Sequence, residues 1–373
     1  MRDVVERVWF GEDALARMAR AALAPSEMLY RATVGVRDAL YEVGLLATHE
    51  PALPTVSVGN VTVGGTGKTP VAAWIAAQLV ERGARPAIVL RGYGDDEPLV
   101  HARLNPGVPV IVSADRVAGV ESARRAGAGV AVLDDAFQHR RVSRDADLVL
   151  VSADRWSASP HLLPAGPWRE PLGAIRRATL VLVTRKAATD AQVDAVNATL
   201  ASVAPRIPRS TLHLEPAALV RVAGGNVASD ERPVSDVSGR AIRVITAIGD
   251  PRSFVRQLEL LGARVEAHVY PDHHHFEPND IARSVRSIPA DGLAICKLKD
   301  AVKLATQWPR EAPTLWYVSQ RVSVERGVGG VEHILDELAR AHDSRARVKP
   351  SDATRPPTGP TSSTHGNRPA TSN

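Results

Sequence analysis

Three glycines, a lysine and a threonine stand where this chain could grip an anion: Gly64, Gly65, Gly67, Lys68 and Thr69. In the stretch Thr55–Thr69, TVSVGNVTVGGTGKT, alternating Val56 and Val58 predict a buried strand. The glycines end it, and Gly67-Lys68-Thr69 opens a helix running from Pro70 to about Arg82. That order is a phosphate-binding loop. Glycines let backbone N–H groups turn onto an anion, the lysine bridges the outer phosphates, and the hydroxyl of Thr69 takes one coordination position on Mg²⁺. The general pattern asks for glycine at position 62, where this chain has Thr62, so the loop reads Thr62, Val63, Gly64, Gly65, Thr66, Gly67, Lys68, Thr69.

A second group of chemistry-bearing residues follows downstream. Gly129–Asp135, GVAVLDD, is an apolar strand that delivers Asp134 and Asp135 at its tip, the layout by which nucleotide enzymes hold Mg²⁺. Two adjacent carboxylates need a cation or donors to stay ionised together, so both are metal candidates along with Thr69. The strand Pro86–Leu90 runs into Arg91-Gly92-Tyr93-Gly94-Asp95-Asp96-Glu97-Pro98, which is either chemistry at the carboxyl end of an open sheet or a solvated acidic turn. Asp272-His273-His274-His275 lies just past another strand. Neighbouring histidines point in different directions and seldom chelate one ion, whereas an Asp–His pair can move a proton. The Pro-rich loop His161–Pro171 is too long for a simple turn and turns Arg169 and Glu170 toward either nucleotide or solvent.

These residues need a scaffold, and the pattern supplies one in two α/β halves. The first holds strands near Thr55–Val58, Pro86–Leu90, Val108–Val112, Gly129–Asp135, Asp147–Ser152 and Ala178–Thr184, with a helix from Asp115-Arg116 to Ala126. The second has strands Ile242–Ile248, Val265–Tyr270, Gly292–Cys296 and Thr314–Ser319, helices Pro251–Leu261 and Pro278–Ile288, and a last helix near Gly330–His342. The expected fold is α/β: a P-loop NTPase-like, mostly parallel sheet flanked by helices, with a smaller C-terminal α/β domain and an N-terminal helical segment. The expected divisions are 1–50 helical, 51–211 nucleotide-binding core, 212–241 connector, 242–345 second domain and 346–373 a tail too poor in apolar residues to bury a core. Residues 11–48 read as helix broken near Pro25, with Ser26 capping a second helix. In it Leu29, Ala32, Val36, Leu40, Val43 and Ala47 form one apolar stripe, suited either to packing on the core or to lying on an anionic leaflet.

Length and charge narrow the classes. A chain of 373 residues can bury a large core, and 44% hydrophobic with 23% charged residues is ordinary for a globular protein. The net charge of +5 favours anionic partners. Nucleic acid is disfavoured because only 4% of residues are aromatic and none interleave a basic run. Cys296 is the single cysteine, which excludes an internal disulfide. No signal peptide is evident, and no stretch nears eighteen consecutive apolar residues, so nothing is expected to span a bilayer.

Side by side, these stretches resemble the tetraacyldisaccharide 4'-kinase family. The residues that carry the resemblance are GNVTVGGTGKTP (59–70), RGYG (91–94), DEPLV (96–100), DDAFQH (134–139), LPAGPWREP (163–171), DHHHF (272–276) and KDAVKL (299–304), in family order. The resemblance implies transfer of the γ-phosphoryl group of ATP, with Mg²⁺, to the 4'-hydroxyl of a lipid disaccharide 1-phosphate, giving lipid IVA. It implies Lys68 on the phosphates, Thr69, Asp134 and Asp135 on the metal, Asp96 as general base and His273 as its imidazole partner. Arg116, Gln138, His139, Arg169 and Glu170 fall on positions expected near phosphates or substrate. It further implies a peripheral protein on the cytoplasmic face of the inner membrane, resting its N-terminal helix on that anionic surface, with no obligate protein partner.

The chain departs from the family pattern in three places. Only Asp95 separates Gly94 from Asp96, where the family usually has a longer segment; Ala136 replaces a glycine; and Lys297-Leu298 stand where Thr-Glu usually precede Lys-Asp. Two rivals remain at this level. One is a P-loop GTPase or metallochaperone, faintly supported by Val183-Thr184-Arg185-Lys186 but lacking the guanine-reading spacing; the other is a non-catalytic ATP-dependent membrane adaptor.

Overall fold

The architecture follows from how the buried strands line up. In the computed structural model, residues 2–92, 94, 96–157, 160–223 and 226–347 are described. Two helices open the chain, α1 (Arg2–Phe10) and α2 (Ala14–Glu42), the second started by Asp13, whose side chain accepts from the Ala16 N–H. Then come β1 (Thr55–Asn60), α3 (Lys68–Glu81), β2 (Pro86–Leu90), α4 (Asp96–Leu104), β3 (Val110–Val112), α5 (Arg116–Arg125), β4 (Val130–Asp134), β5 (Ala146–Ser152), β6 (Leu180–Arg185) and α6 (Asp190–Val203). The second half contains β7 (Arg209–Ala223), β8 (Asn226–Pro233), β9 (Ala241–Thr246), α7 (Pro251–Leu260), β10 (Arg264–Val269), α8 (Pro278–Arg286), β11 (Leu293–Lys297), α9 (Leu298–Leu304), β12 (Leu315–Arg326) and α10 (Val328–Arg347).

Among the described residues the strands form one 12-stranded sheet in the order β10-β9-β11-β12-β7-β6-β5-β1-β4-β2-β3, with β8 on β7. Every pairing is parallel except β12 with β7 and β7 with β8. β1, β2 and β4 are buried along their whole length, as parallel strands covered on both faces must be. Val56, Ile75, Leu79, Ile88, Val132 and Leu148 fill the core on the α3 face, and Leu133, Val89 and Val120 fill part of the other. Cys296 is buried in the second half.

Three expectations change. The segment 212–241 is regular structure, since β7 runs on to Ala223, β8 folds back on it and β9 begins at Ala241. The two halves are therefore welded through the antiparallel pair β7 and β12. Pro25 does not break α2, which runs 29 residues through it; a proline removes one backbone donor, and an exposed helix face tolerates that. The packed face of α2 is Ala16, Glu27 and Val34, so the helical part of the stripe predicted as a possible core contact points mostly outward: Leu29, Ala32 and Val36 are exposed, Leu40 is half-buried, and Val43 and Ala47 lie past the end of the helix. The expected tail lies, from 348 on, outside the described residues.

Candidate active site

β1 is buried and ends where Gly64 and Gly67 take positive φ, 104° and 92°, a turn that residues with a side chain rarely make. Gly67 is the residue before α3, so the helix opens with free N–H groups directed into the loop. Two neighbours hold the loop's shape. Asn60 Nδ2 donates to Thr66 Oγ1 at 2.8 Å and Thr184 Oγ1 donates to the Thr66 carbonyl at 2.9 Å. The Pro-rich segment lies against the other side: Thr62 bridges to Trp168, and Val63 N–H donates to the Pro167 carbonyl. Thr62 is thus a point of backbone pairing.

The loop forms the floor of a cavity of about 1370 Å³, to which Val63 through Thr69, Arg116, Asp134, Asp135, Gln138, His139, Arg169 and His273 all contribute. Lys68 Nζ lies 3.7 Å from Asp135 Oδ1. Arg169 Nη1 donates to both oxygens of Asp135, at 2.9 and 3.0 Å. Burial would raise the Asp135 carboxyl, but Lys68 and Arg169 hold it below its usual range. Asp134 is placed differently. Its Oδ2 meets His101 Nε2 at 2.8 Å, while Oδ1 is sealed from water and, among the described residues, has no hydrogen-bond partner. Arg116 is buried, donating to the Ser113 carbonyl at 2.5 Å and the Asp134 carbonyl at 3.3 Å. Gln138 Nε2 donates to the Asn60 carbonyl.

A Mg²⁺ site fits this donor set. An orphaned carboxylate oxygen on Asp134 and the hydroxyl of Thr69 are hard ligands, and among the described residues no group of three or more His, Cys, Asp or Glu side chains forms a closed cage. Mg²⁺ characteristically takes one or two carboxylates plus substrate phosphates. Asp135 is the weaker candidate, because Arg169 already occupies both of its oxygens.

Asp96 and His273, 177 positions apart, meet at 3.2 Å between Oδ1 and Nδ1. Asp96 starts α4 and is buried; His273 follows β10 with φ 60° and faces the cavity. Lys299 Nζ stands 3.1 Å from His273 Nε2 and 3.0 Å from Asp272 Oδ1. A lysine ammonium only donates, so Nε2 accepts and Nδ1–H points at Asp96. Burial pushes the Asp96 carboxyl up, but the His273 hydrogen bond and the charges of Lys299 and Lys303 outweigh it and bring it to about 2. His273 moves upward in return, chiefly through that same hydrogen bond. Gly94, at φ 80°, closes over the pair: a Cβ there would lie 2.6 Å from His273 Nδ1.

Glu170 departs from the expectation. It is wholly buried and its oxygens go to Arg37 at 2.6 Å and Arg177 at 2.5 Å, tying α2 to the segment after the Pro-rich loop. A carboxylate with two guanidinium partners has no free edge for a phosphate or sugar.

Sequence reasoning missed several groups. Glu97 lines the cavity, and burial with the nearby Asp134 charge raises it to about 7. His101 pairs with Asp134. Lys186 Nζ donates to the Gly65 carbonyl at 2.6 Å and to Asp250 Oδ2 at 2.7 Å, joining the loop to the second half. The DEP motif held Glu97 in view and the VTRK segment Lys186, while His101 lies just past DEPLV; only the fold brings their partners.

A family model described as tetraacyldisaccharide-1-P 4'-kinase matches residues 19–340. A tetraacyldisaccharide 4'-kinase of an Anaeromyxobacter species is 37% identical over 369 residues, covering 91% of this chain and 96% of the relative. That of Halorhodospira halophila is 38% identical over 349 residues, covering 88% and 95%. Among solved structures, LpxK from Aquifex aeolicus, crystallised with ATP, aligns with a TM-score of 0.65 at 26% identity, over 86% of this chain and 99% of that one.

Proposed function

The chain belongs to the tetraacyldisaccharide-1-P 4'-kinase family, and on that premise we propose which of its residues carry the reaction. The enzyme transfers the γ-phosphoryl group of ATP to the 4'-hydroxyl of a tetraacyldisaccharide 1-phosphate in lipid A biosynthesis. Phosphoryl transfer depends mostly on positioning and charge neutralisation, and a sugar hydroxyl is a poor nucleophile until its proton has somewhere to go.

Loop N–H groups between Gly64 and Thr69, apart from that of Thr66, which donates to the Gly64 carbonyl, cradle the polyphosphate, and Lys68 offsets charge on the β- and γ-oxygens. Thr69 and Asp134 Oδ1, with Asp135 beside them, would hold Mg²⁺, which would supply the remaining charge neutralisation. Arg169 keeps Asp135 in place, and Arg116 braces the tip of β4. As the 4'-oxygen bonds to phosphorus and the bond to the leaving ADP oxygen breaks, the hydroxyl proton passes to the Asp96–His273 pair. The two groups titrate as one unit, so the pair, ionised at Asp96 with a neutral imidazole, gains one proton. His139 and Gln138 also line the cavity.

The observation that supports this reading is the 3.2 Å contact of Asp96 with His273 beside the same cavity as Lys68. Labelled ATP, Mg²⁺ and the disaccharide 1-phosphate in detergent micelles form the test. Label should appear in the lipid. Asp96→Asn should lower turnover by about 10²–10⁴-fold, the usual contribution of a positioned general base, and leave ATP binding intact. Near-native turnover in that variant would remove Asp96 from the role.

The lipid substrate also suggests where the protein works. We place it peripherally on the cytoplasmic face of the inner membrane, with residues 1–50 at the anionic surface and 51–211 as the kinase core. No described helix is long and apolar enough to cross a membrane. The support is α2, whose outward face carries Met18, Met28, Leu29 and Val36, with Val43 just past its end, each at least 60% exposed.

A further inference from the structure

The two oxygens of Asp134 have different surroundings. Among the described residues, Oδ2 accepts its one side-chain hydrogen bond from His101 Nε2 at 2.8 Å, and Oδ1 is sealed from water with no hydrogen-bond partner. A buried carboxylate oxygen left without a donor is costly, and such an oxygen at the tip of a strand beside a phosphate loop has a cation as its natural partner. His101 is completely buried, and its Nδ1 is buried without a hydrogen-bond partner. An ionised carboxylate can only accept, so the proton sits on Nε2, and nothing on the Nδ1 side pulls the ring away. The imidazole therefore fixes the rotation of the Asp134 carboxyl group.

We propose that His101 is a positioning residue for the divalent cation, holding Asp134 Oδ2 so that Oδ1 faces the metal. The inference rests on the assignment of Asp134 to the metal made above. His101 is carried on α4, the helix that begins with Asp96. One short helix packed on α3 and α9 thus supplies both the proton acceptor for the lipid hydroxyl and the clamp on the carboxylate that faces the nucleotide's metal. A shift of α4 would displace both together, so acceptor and donor chemistry stay in register.

The test compares two amides of different reach. In His101→Gln the amide nitrogen extends about as far as imidazole Nε2; in His101→Asn it stops near Nδ1. Mn²⁺ affinity is read by electron paramagnetic resonance on the full chain with a non-hydrolysable ATP analogue, and analogue binding without metal is measured alongside. The Asn variant should bind Mn²⁺ roughly 10–100-fold more weakly, the usual effect of losing a group that orients a metal ligand. The Gln variant should stay within a few-fold of the parent, with metal-free analogue binding unchanged in both. Equal Mn²⁺ affinity in the Asn and Gln variants, whether like the parent or equally weakened, overturns the positioning role. Asp134→Asn separates the two layers: if it leaves Mn²⁺ binding intact, the metal assignment falls and this inference with it, whereas weak Mn²⁺ binding there beside a normal His101→Asn overturns only the inference.

Discussion

Lys297 offers a measurement that reads a single buried charge. It ends β11, where the family usually has threonine, and its stem is partly accessible while the ammonium nitrogen is sealed and, among the described residues, without a hydrogen-bond partner. The nitrogen lies 4.4 Å from the centre of the Phe254 ring. Burial depresses it to about 7, the positive Lys186 adds to that, and Asp250 and Asp300 only partly oppose it. Both carboxylates are already engaged, Asp250 by Lys186 and Asp300 by Thr246 and the Ala247 N–H. An unfolded lysine keeps its proton up to about 10.4. Between the two values the unfolded chain binds more protons than the folded one, so stability contributed at this site rises with pH through that window. From pH 7 to pH 9 the gain is about 2 kcal/mol, since the folded amine is already half deprotonated at the start. For an ordered chain of this length that is roughly 3 °C in Tm. Lys297→Met keeps the length and removes the charge. Thermal unfolding of parent and variant at both pH values should show the variant more stable at pH 7 and the gap narrower at pH 9 by about 2 kcal/mol. Parallel pH dependences would refute the reasoning and mean that the ammonium has found an acceptor.

Other consequences can be checked in the same preparations. Glu170→Ala takes the buried carboxylate away from Arg37 and Arg177; because both are partly solvated and keep Asp38 as a partner, the cost should be roughly 2–3 kcal/mol, below the range for a fully buried pair, with the KM for lipid unchanged. A raised lipid KM at unchanged stability would return Glu170 to the substrate. Gly94→Ala places a Cβ 2.6 Å from His273 Nδ1 at a positive φ, so turnover should fall while ATP affinity holds; equal loss of both would argue against a local effect. Leu29→Ser with Val36→Ser should abolish co-sedimentation with anionic vesicles and spare ATP binding, and retained sedimentation would exclude this face as the attachment surface.

What the sequence disclosed divides along the distance between partners. The loop from Thr62 to Thr69 was legible because its strand, glycines and helix are contiguous, and β2, β4, α5 and α7 were legible for the same reason: each is a local apolar pattern with its own stop or cap. Asp96 and His273 were paired only through resemblance, since nothing in either neighbourhood points across 177 residues. Glu170 was misplaced because a charge beside a functional arginine looks the same in sequence whether it faces substrate or two buried guanidinium groups. The stripe on α2 was legible as a stripe, but its facing depends on which residues meet the Pro-rich loop: Glu27 bonds the Leu162 N–H and Tyr30 the Arg169 carbonyl. Pro25 shows the limit of breaker rules, which count the lost hydrogen bond but not the packing that carries the helix onward.

The phosphate loop itself gains a second reason for its glycines. Gly65 cannot carry a side chain because a Cβ would stand 2.6 Å from the Asp250 Cβ, and one on Gly67 would stand 2.3 Å from Leu214 Cδ1. Neither neighbour is phosphate; Asp250 caps α7 and Leu214 lies on β7, both past the first half. The loop is therefore wedged between the halves, and Lys186 fastens the wedge by donating to Gly65 and Asp250 at once. A loop that only bound phosphate would need glycine for its turns at 64 and 67. This one also needs it at 65, because the turn from β9 into α7 delivers Asp250 against the nucleotide's floor, on the same side from which His273 reaches Asp96.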